Sequence, residues 1–297
     1  GQSERINSIR TLIRKVAPTE VPVLITGESG TGKDVVAREL HNQSKRSNDP
    51  MIIKNCGTLQ KELARSELFG HCKGAFTGAD QNQEGLLELA HRGSMFLDEI
   101  GDLPLELQSA FLRVLENQTY RKVGSKKQCQ VDIRFIFATN RDLLKEVQEG
   151  GFHEALYHRI NVVNIHMPKL KERKEDIPLL VEHFLTKLRP ECKFSVSESA
   201  MKVLMDYDWP GNVRELKNIL ERSTILSENE VITEQDLPTE LLGQERSPLA
   251  HNSRMSLREM EQAYITQVLE ECGHNRSRAS EILGISRKTL YRKLQKQ

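Results

Sequence analysis

No stretch of this 297-residue chain approaches eighteen consecutive apolar residues, so no segment is read as a membrane-spanning helix. The opening residues, GQSERINSIR, lack the apolar core of a secretory leader. Cysteine is sparse and odd in number: Cys56, Cys72, Cys129, Cys192 and Cys272, none in a CxxC pair. That argues against a disulfide framework or a zinc site and favours reduced thiols in a cytoplasmic protein. Internal repeats are absent. Charge of one sign is also missing overall, because the net value is only +1. The balance hides an asymmetry, since residues 254–297 carry nine Lys/Arg against five Glu. A small basic tail on a mildly acidic body points to a separate nucleic-acid contact.

What is present is an alternation of strands and helices. VPVLIT (21–26), MIIKN (51–55), SMFLDEI (94–100), VDIRFIFATN (131–140) and VVNIHM (162–167) read as buried strands. GKDVVARELHNQS and LPLELQSAFLRVLEN read as helices between them. This order predicts an α/β fold, a parallel sheet covered by helices on both faces, over residues 1–170. Beyond Pro168 the strand signal disappears, and helical spacing predicts a small helical subdomain over 171–242. Residues 243–255 have Gly, Pro and Ser without periodicity and read as a linker. Residues 256–297 read as a last, all-helical domain.

GESGTGKD (27–34) fits the phosphate-binding pattern G-x-x-x-x-G-K, and it lies after a strand and opens a helix, where the mechanism needs it. Gly27, Glu28, Ser29, Gly30, Thr31, Gly32, Lys33 and Asp34 are therefore candidate nucleotide-binding residues. Backbone N–H groups would wrap the phosphates and Lys33 would reach the β and γ oxygens of a nucleotide such as ATP. Asp34 stands where Ser or Thr is usual, and suits Mg²⁺ only differently, for instance through water. The strand ending in Asp98-Glu99 supplies the complement: Asp98 can hold Mg²⁺ and Glu99 can polarise an attacking water. In the tail, RSRASEILG followed by ISRKTLYRKL reads as a helix-turn-helix, with Gly284 in the turn and Ser286 as the cap of the second helix. Arg276, Ser286, Arg287, Lys288, Thr289, Arg292 and Lys293 are its candidate DNA-binding residues, while Leu290 and Leu294 face inward. Leu257, Met260, Tyr264, Val268 and Leu269 mark the apolar stripe of a preceding helix.

GESGTGKD, GAFTGA (74–79), GSMFLDEIGDLP, FATNRDL and WPGNVREL, in this order, resemble the AAA+ domain of sigma-54-dependent transcriptional activators, also called bacterial enhancer-binding proteins. The tail resembles their Fis-type domain. The resemblance implies an Mg-dependent ATPase that binds upstream palindromic double-stranded DNA and remodels sigma-54 RNA polymerase holoenzyme to drive open-complex formation. It implies a homo-oligomer, with dimers assembling into a hexameric or heptameric ring, and no membrane association. A ligand-controlled repressor with a decayed nucleotide domain and a different AAA+ machine are the competing expectations.

The same resemblance carries roles to single residues. Gly74, Ala75, Phe76, Thr77, Gly78 and Ala79 would form the loop that contacts sigma-54, with Phe76 and Thr77 at its tip. Asn140 would sense the γ-phosphate and Arg214 would reach the nucleotide from the lid. Asn55 would be a switch that pairs with Glu99, or else simply a strand-end cap; the residues leave both open. The family pattern F-R-x-D-L-x-x-R-L appears here as FHEALYHRI (152–160), so His153 replaces the first arginine finger and Arg159 remains. An imidazole is mostly neutral near pH 7 and cannot fork onto phosphate, so the trans finger is placed on Arg159. Such activators usually carry an N-terminal sensory domain, for instance the phosphoacceptor receiver of a two-component system. The expectations here are a chain cut from a longer one, which is favoured, or a member regulated in trans.

Overall fold

A computed structural model describes residues 1–188, 191, 194–227, 229–242, 264, 265, 268, 269, 275–285, 289, 290 and 293. The chain divides into two compact units, Gly1–Asp236 and Leu237–Gln297. In the first, α1 (Glu4–Val16) leads to β1 (Val23–Thr26), α2 (Lys33–Asn42), β2 (Met51–Asn55), α3 (Lys61–Phe69) and α4 (Leu86–Leu89). Next come β3 (Ser94–Asp98), α5 (Leu105–Asn117), the hairpin β4 (Thr119–Tyr120) and β5 (Cys129–Gln130), and β6 (Arg134–Thr139). The helices α6 (Leu143–Gln148) and α7 (Glu154–Ile160) precede β7 (Val163–His166).

Five strands pair in the order β2-β3-β6-β1-β7, all parallel, as the alternation predicts. Successive side chains of a strand point to opposite faces, so the inner strands β1, β3 and β6 feed two cores. Val23, Ile25, Phe96, Ile136 and Ala138 pack under α1 and α2. Leu24, Met95, Leu97, Phe135 and Phe137 pack on the other face against α3 to α7. Phe111 of α5 meets Phe135 edge-on, with ring centroids 5.4 Å apart. Burial on both faces explains why these strands read as continuous apolar runs.

Within this core Cys56 is buried, and desolvation, reinforced by the Asp102 and Asp98 carboxylates, pushes its thiol up to about 12. Only the thiolate alkylates readily. Iodoacetamide at pH 8 followed by peptide mapping should therefore label Cys72 and Cys129, both part-exposed, well before Cys56. Early labelling of Cys56 would contradict this burial.

The rest of the first unit is a helical lid. It comprises a tight helical turn over Leu170–Asp176, α8 (Ile177–Leu188), α9 (Glu198–Asp206) and α10 (Asn212–Leu226). Trp209 anchors it, almost fully buried, its indole N–H donating to the Leu204 carbonyl at 2.8 Å. One feature differs from the sequence reading. A parallel pair, β8 (Ser195–Val196) with β9 (Val231–Ile232), crosses the lid. Strands of two residues are too short to show any periodicity in sequence.

In the second unit, Ile265, Val268, Leu269, Ala279 and Leu290 form a small core. Helix α11 (Arg276–Ile282) ends before Gly284, whose φ of 63° is the left-handed value a tight turn uses. Tyr264, assigned to the apolar stripe, is instead 44% exposed, and Ile265 takes the buried place. Leu257, Met260, Ser286, Arg287, Lys288, Arg292 and Leu294 lie outside the described residues. Among those described, no helix is long and apolar enough to cross a membrane.

Candidate functional site

In a parallel sheet the carboxyl ends of all strands open on one edge, and ligands collect there. Register makes this concrete: Thr26 pairs with Thr139 and Asn55 with Asp98. The loop after β1, the acid pair after β3, and Asn55 and Asn140 at the ends of β2 and β6 thus share one edge. A cleft of about 420 Å³ opens there, lined by Ser29, Gly30, Gly32, Lys33, Asp34, Val35, Asp98, Glu99, Phe184, Val213, Arg214, Lys217 and Asn218.

Lys33 opens α2, and its ammonium donates to the carbonyls of Gly27 at 2.9 Å and Glu28 at 3.3 Å. The same ammonium lies 3.7 Å from the Glu99 carboxylate, so one cation touches both motifs. Glu99 has a left-handed backbone, φ 49° and ψ 52°, unusual for a residue with a side chain. Its Oε2 accepts the Asn140 main-chain N–H at 3.0 Å. Asp98 turns Oδ1 to the Glu99 N–H at 3.0 Å. The Asn55 side chain is engaged as a cap, its Oδ1 accepting the Gly57 N–H at 2.8 Å, and it makes no bond to Glu99 in this structure.

The lid closes on the loop directly. The Gly30 carbonyl accepts N–H groups from Val213 at 2.9 Å and Arg214 at 3.3 Å, at the start of α10. A side chain at position 30 would run into the Gly211 carbonyl, and its φ of 78° favours glycine as well. Arg214 Nη1 donates to Ser29 Oγ at 2.7 Å.

Several contributors were missed by sequence reasoning. Asn212 donates to Glu28 Oε2 and to the Ser29 carbonyl, both at 3.2 Å, and accepts the Leu170 N–H at 2.8 Å. Lys169 pairs with Glu28 and, with Asn212, holds its carboxyl below the usual range. The Glu28 carboxylate is thereby engaged with Lys169 and Asn212, leaving its main-chain N–H as the group expected at phosphate. Lys217 and Asn218 stand three and four residues after Arg214, on the same helical face, and that spacing was the signal available for them.

Two predicted groups lie away from this cleft. Arg159 is on the exposed side of α7, where Nη2 donates to the Leu115 carbonyl at 3.2 Å, and it does not line the cleft. His153, also apart, sits 3.2 Å from Ser109 Oγ through Nε2. The loop over 72–82 is a second separate feature. Its ends are clipped by paired hydrogen bonds between His71 and Gln83, at 3.0 and 2.9 Å. Gly74 and Gly78 have φ of 80° and 96° with open space around both, so the chain reverses at the two glycines. Phe76 is 39% exposed, resting edge-on against the buried His71 ring at 5.0 Å. Thr77 is exposed, Ala75 part-buried and Ala79 buried. In the second unit Arg276 is exposed, and Thr289 and Lys293 are part-buried.

The chemistry available is therefore an anion cradle at a helix N-terminus, a lysine and lid cations around it, and two carboxylates facing it. Comparisons with known proteins agree with this assembly. Residues 1–166 match the family model described as Sigma-54 interaction domain, 171–254 an AAA+ ATPase lid domain, and 256–296 the bacterial regulatory proteins of the Fis family. The chain is 45% identical over 298 residues to the transcriptional regulatory protein ZraR of Escherichia coli K12, covering 99% of this chain and 67% of that protein. It is 42% identical over 296 residues to the regulatory protein AtoC of the same organism, covering 95% and 63%. The crystal structure of NtrX from Brucella abortus superposes with a TM-score of 0.81 at 38% identity, covering all of this chain and 68% of that one. NtrX structures in complex with ATP and with ADP each give 0.78. The chain spans about two thirds of the length of these relatives.

Proposed function

Because this chain belongs to the sigma-54-dependent transcriptional activators, with AAA+, lid and Fis-type domains, we propose that it hydrolyses ATP to remodel sigma-54 RNA polymerase holoenzyme at promoters. The observation that carries this reading is the exposed Phe76 loop, built into the same unit as the nucleotide cleft and clipped at its base. The second unit would hold upstream palindromic DNA as a dimer, and the ATPase units would assemble into a hexameric or heptameric ring in the cytoplasm.

In this proposal the loop N–H groups and Lys33 take the β and γ phosphates, and Arg214 and Lys217 approach from the lid. Asp98 has one carboxylate oxygen without a partner among the described residues, and Asp34 lines the same cleft. An all-oxygen donor set of this kind fits Mg²⁺, which would neutralise phosphate charge when bound. Glu99, which accepts the Asn140 N–H, would take a proton from water, and that contact would link the γ-phosphate sensor to the base. Asn55 would act as a switch only by leaving its cap on Gly57. Arg159 would serve a neighbouring protomer. Conversion of a closed promoter complex to an open one would follow from movement of the Phe76 loop with nucleotide state.

Phe76→Ala should abolish retention of the full chain on immobilised sigma-54 in the presence of ADP and aluminium fluoride, while ATP turnover persists. Phe76 packs on His71 rather than in the core, so its loss leaves the fold intact. Retention undiminished by the substitution would sink the loop assignment. A wild-type chain that never binds sigma-54 would favour a repressor or another AAA+ machine.

A further inference from the structure

The first turn of the lid contains a charged group that the nucleotide chemistry above does not use. Arg173 breaks the helical turn over Leu170–Asp176 with φ −142° and ψ 45°, and it is only 6% exposed. No carboxylate lies within ion-pair distance of its guanidinium among the described residues. Nη2 donates to the main-chain carbonyl of Thr31 at 2.9 Å, and Nε has no partner. Asp176, three residues on and fully buried, accepts instead from Gln2 N–H at 2.5 Å, Ser3 N–H at 2.8 Å and Ser3 Oγ at 2.7 Å. It supports Arg173 only through the field between them, which opposes the lowering that burial imposes on the guanidinium. Burying a guanidinium with one hydrogen bond is costly, so that bond must hold something of consequence.

The peptide it grips joins Thr31 to Gly32. A trans peptide is planar, with C=O and N–H pointing in opposite directions. Holding the Thr31 carbonyl toward Arg173 therefore turns the Gly32 N–H the other way, and Gly32 lines the cleft. The Thr31 hydroxyl is held separately, donating to the Glu28 carbonyl at 2.8 Å, a bond that does not involve the Thr31–Gly32 peptide and leaves the orientation of that peptide to the Arg173 contact.

We propose that Arg173 is a positioning residue for the nucleotide: it orients the Thr31–Gly32 peptide so that the Gly32 N–H faces the phosphates. The proposal rests on the reading of the cleft as a nucleotide site. It also makes the phosphate loop depend on the lid, since a displaced lid releases the carbonyl and the peptide can rotate.

The test uses the full chain, with a fluorescent ADP analogue for binding and steady-state ATP hydrolysis for turnover. Arg173→Met keeps bulk and removes every donor. It should weaken analogue binding by about tenfold or more, the range lost with a hydrogen bond from a charged group, and raise KM for ATP by a similar factor. The kcat should fall much less. Arg173→Lys, which keeps one charged donor, should recover part of the loss. A purely structural role predicts a lower Tm with Kd and KM unchanged below it. Wild-type Kd and KM in folded Arg173→Met would overturn the proposal, and if that variant does not fold, the same constants in Arg173→Lys decide it. A wild-type chain that binds no nucleotide would overturn the site reading itself, so the two failures are distinct.

Discussion

Arg159→Ala should bind ATP as the wild type does and hydrolyse it slower by about 10³–10⁵-fold, the range measured when a trans arginine is removed. The geometry that motivates this is negative and positive at once. Arg159 does not line its own cleft, and its helix is anchored by the buried Leu156 and Ile160. The residue is exposed, and among the described residues its guanidinium has one hydrogen bond, from Nη2 to the Leu115 carbonyl. In the proposed ring, such a group would act on the cleft of a neighbouring protomer. His153→Ala should retain most activity, because that ring is engaged beside Ser109 and is a poor phosphate ligand. Mixing supplies the sharper check. Arg159→Ala protomers have intact clefts and Lys33→Ala protomers have intact fingers, so mixed rings should regain part of the turnover that each lacks alone. Near-normal hydrolysis by Arg159→Ala alone would remove the finger assignment.

Glu99→Gln should trap nucleotide, with ATP retained and turnover lowered by about 10²–10⁴-fold, the usual contribution of a positioned base. The amide can still accept the Asn140 N–H, so the left-handed turn at residue 99 is kept. What is lost is the proton acceptor and the charge 3.7 Å from Lys33. Single-turnover release of labelled phosphate measures this directly, alongside a filter-binding count of bound ATP. Turnover close to that of the wild type would move the base elsewhere, and loss of ATP binding would recast Glu99 as a brace for Lys33.

Much of this was legible in order along the chain. The apolar runs 21–26 and 131–140 hold strands buried on both faces, and such runs are recognisable without knowing their neighbours; 51–55 reads the same way although it lies at the sheet edge and is only part-buried. The phosphate loop, the acid pair and the small-residue loop are contiguous, so their residue types and spacing appear intact in sequence. Contacts between distant segments leave no such trace. Asn212 bonds Glu28 and Ser29 across more than 180 positions, and Arg173 reaches Thr31 across 142. Nothing in either local stretch announces its partner.

The sequence by itself determined the parallel α/β core, the nucleotide motifs, the family and the helix-turn-helix tail, since each is written in local periodicity or in a contiguous motif. Only the tertiary structure decided which way the side chains are committed. It engaged Glu28 with the lid, capped Gly57 with Asn55, hung Glu99 on the Asn140 N–H and buried Arg173 against the phosphate loop. These choices depend on sheet order and on how the lid packs, and both are set by burial summed over the whole unit rather than by any one segment.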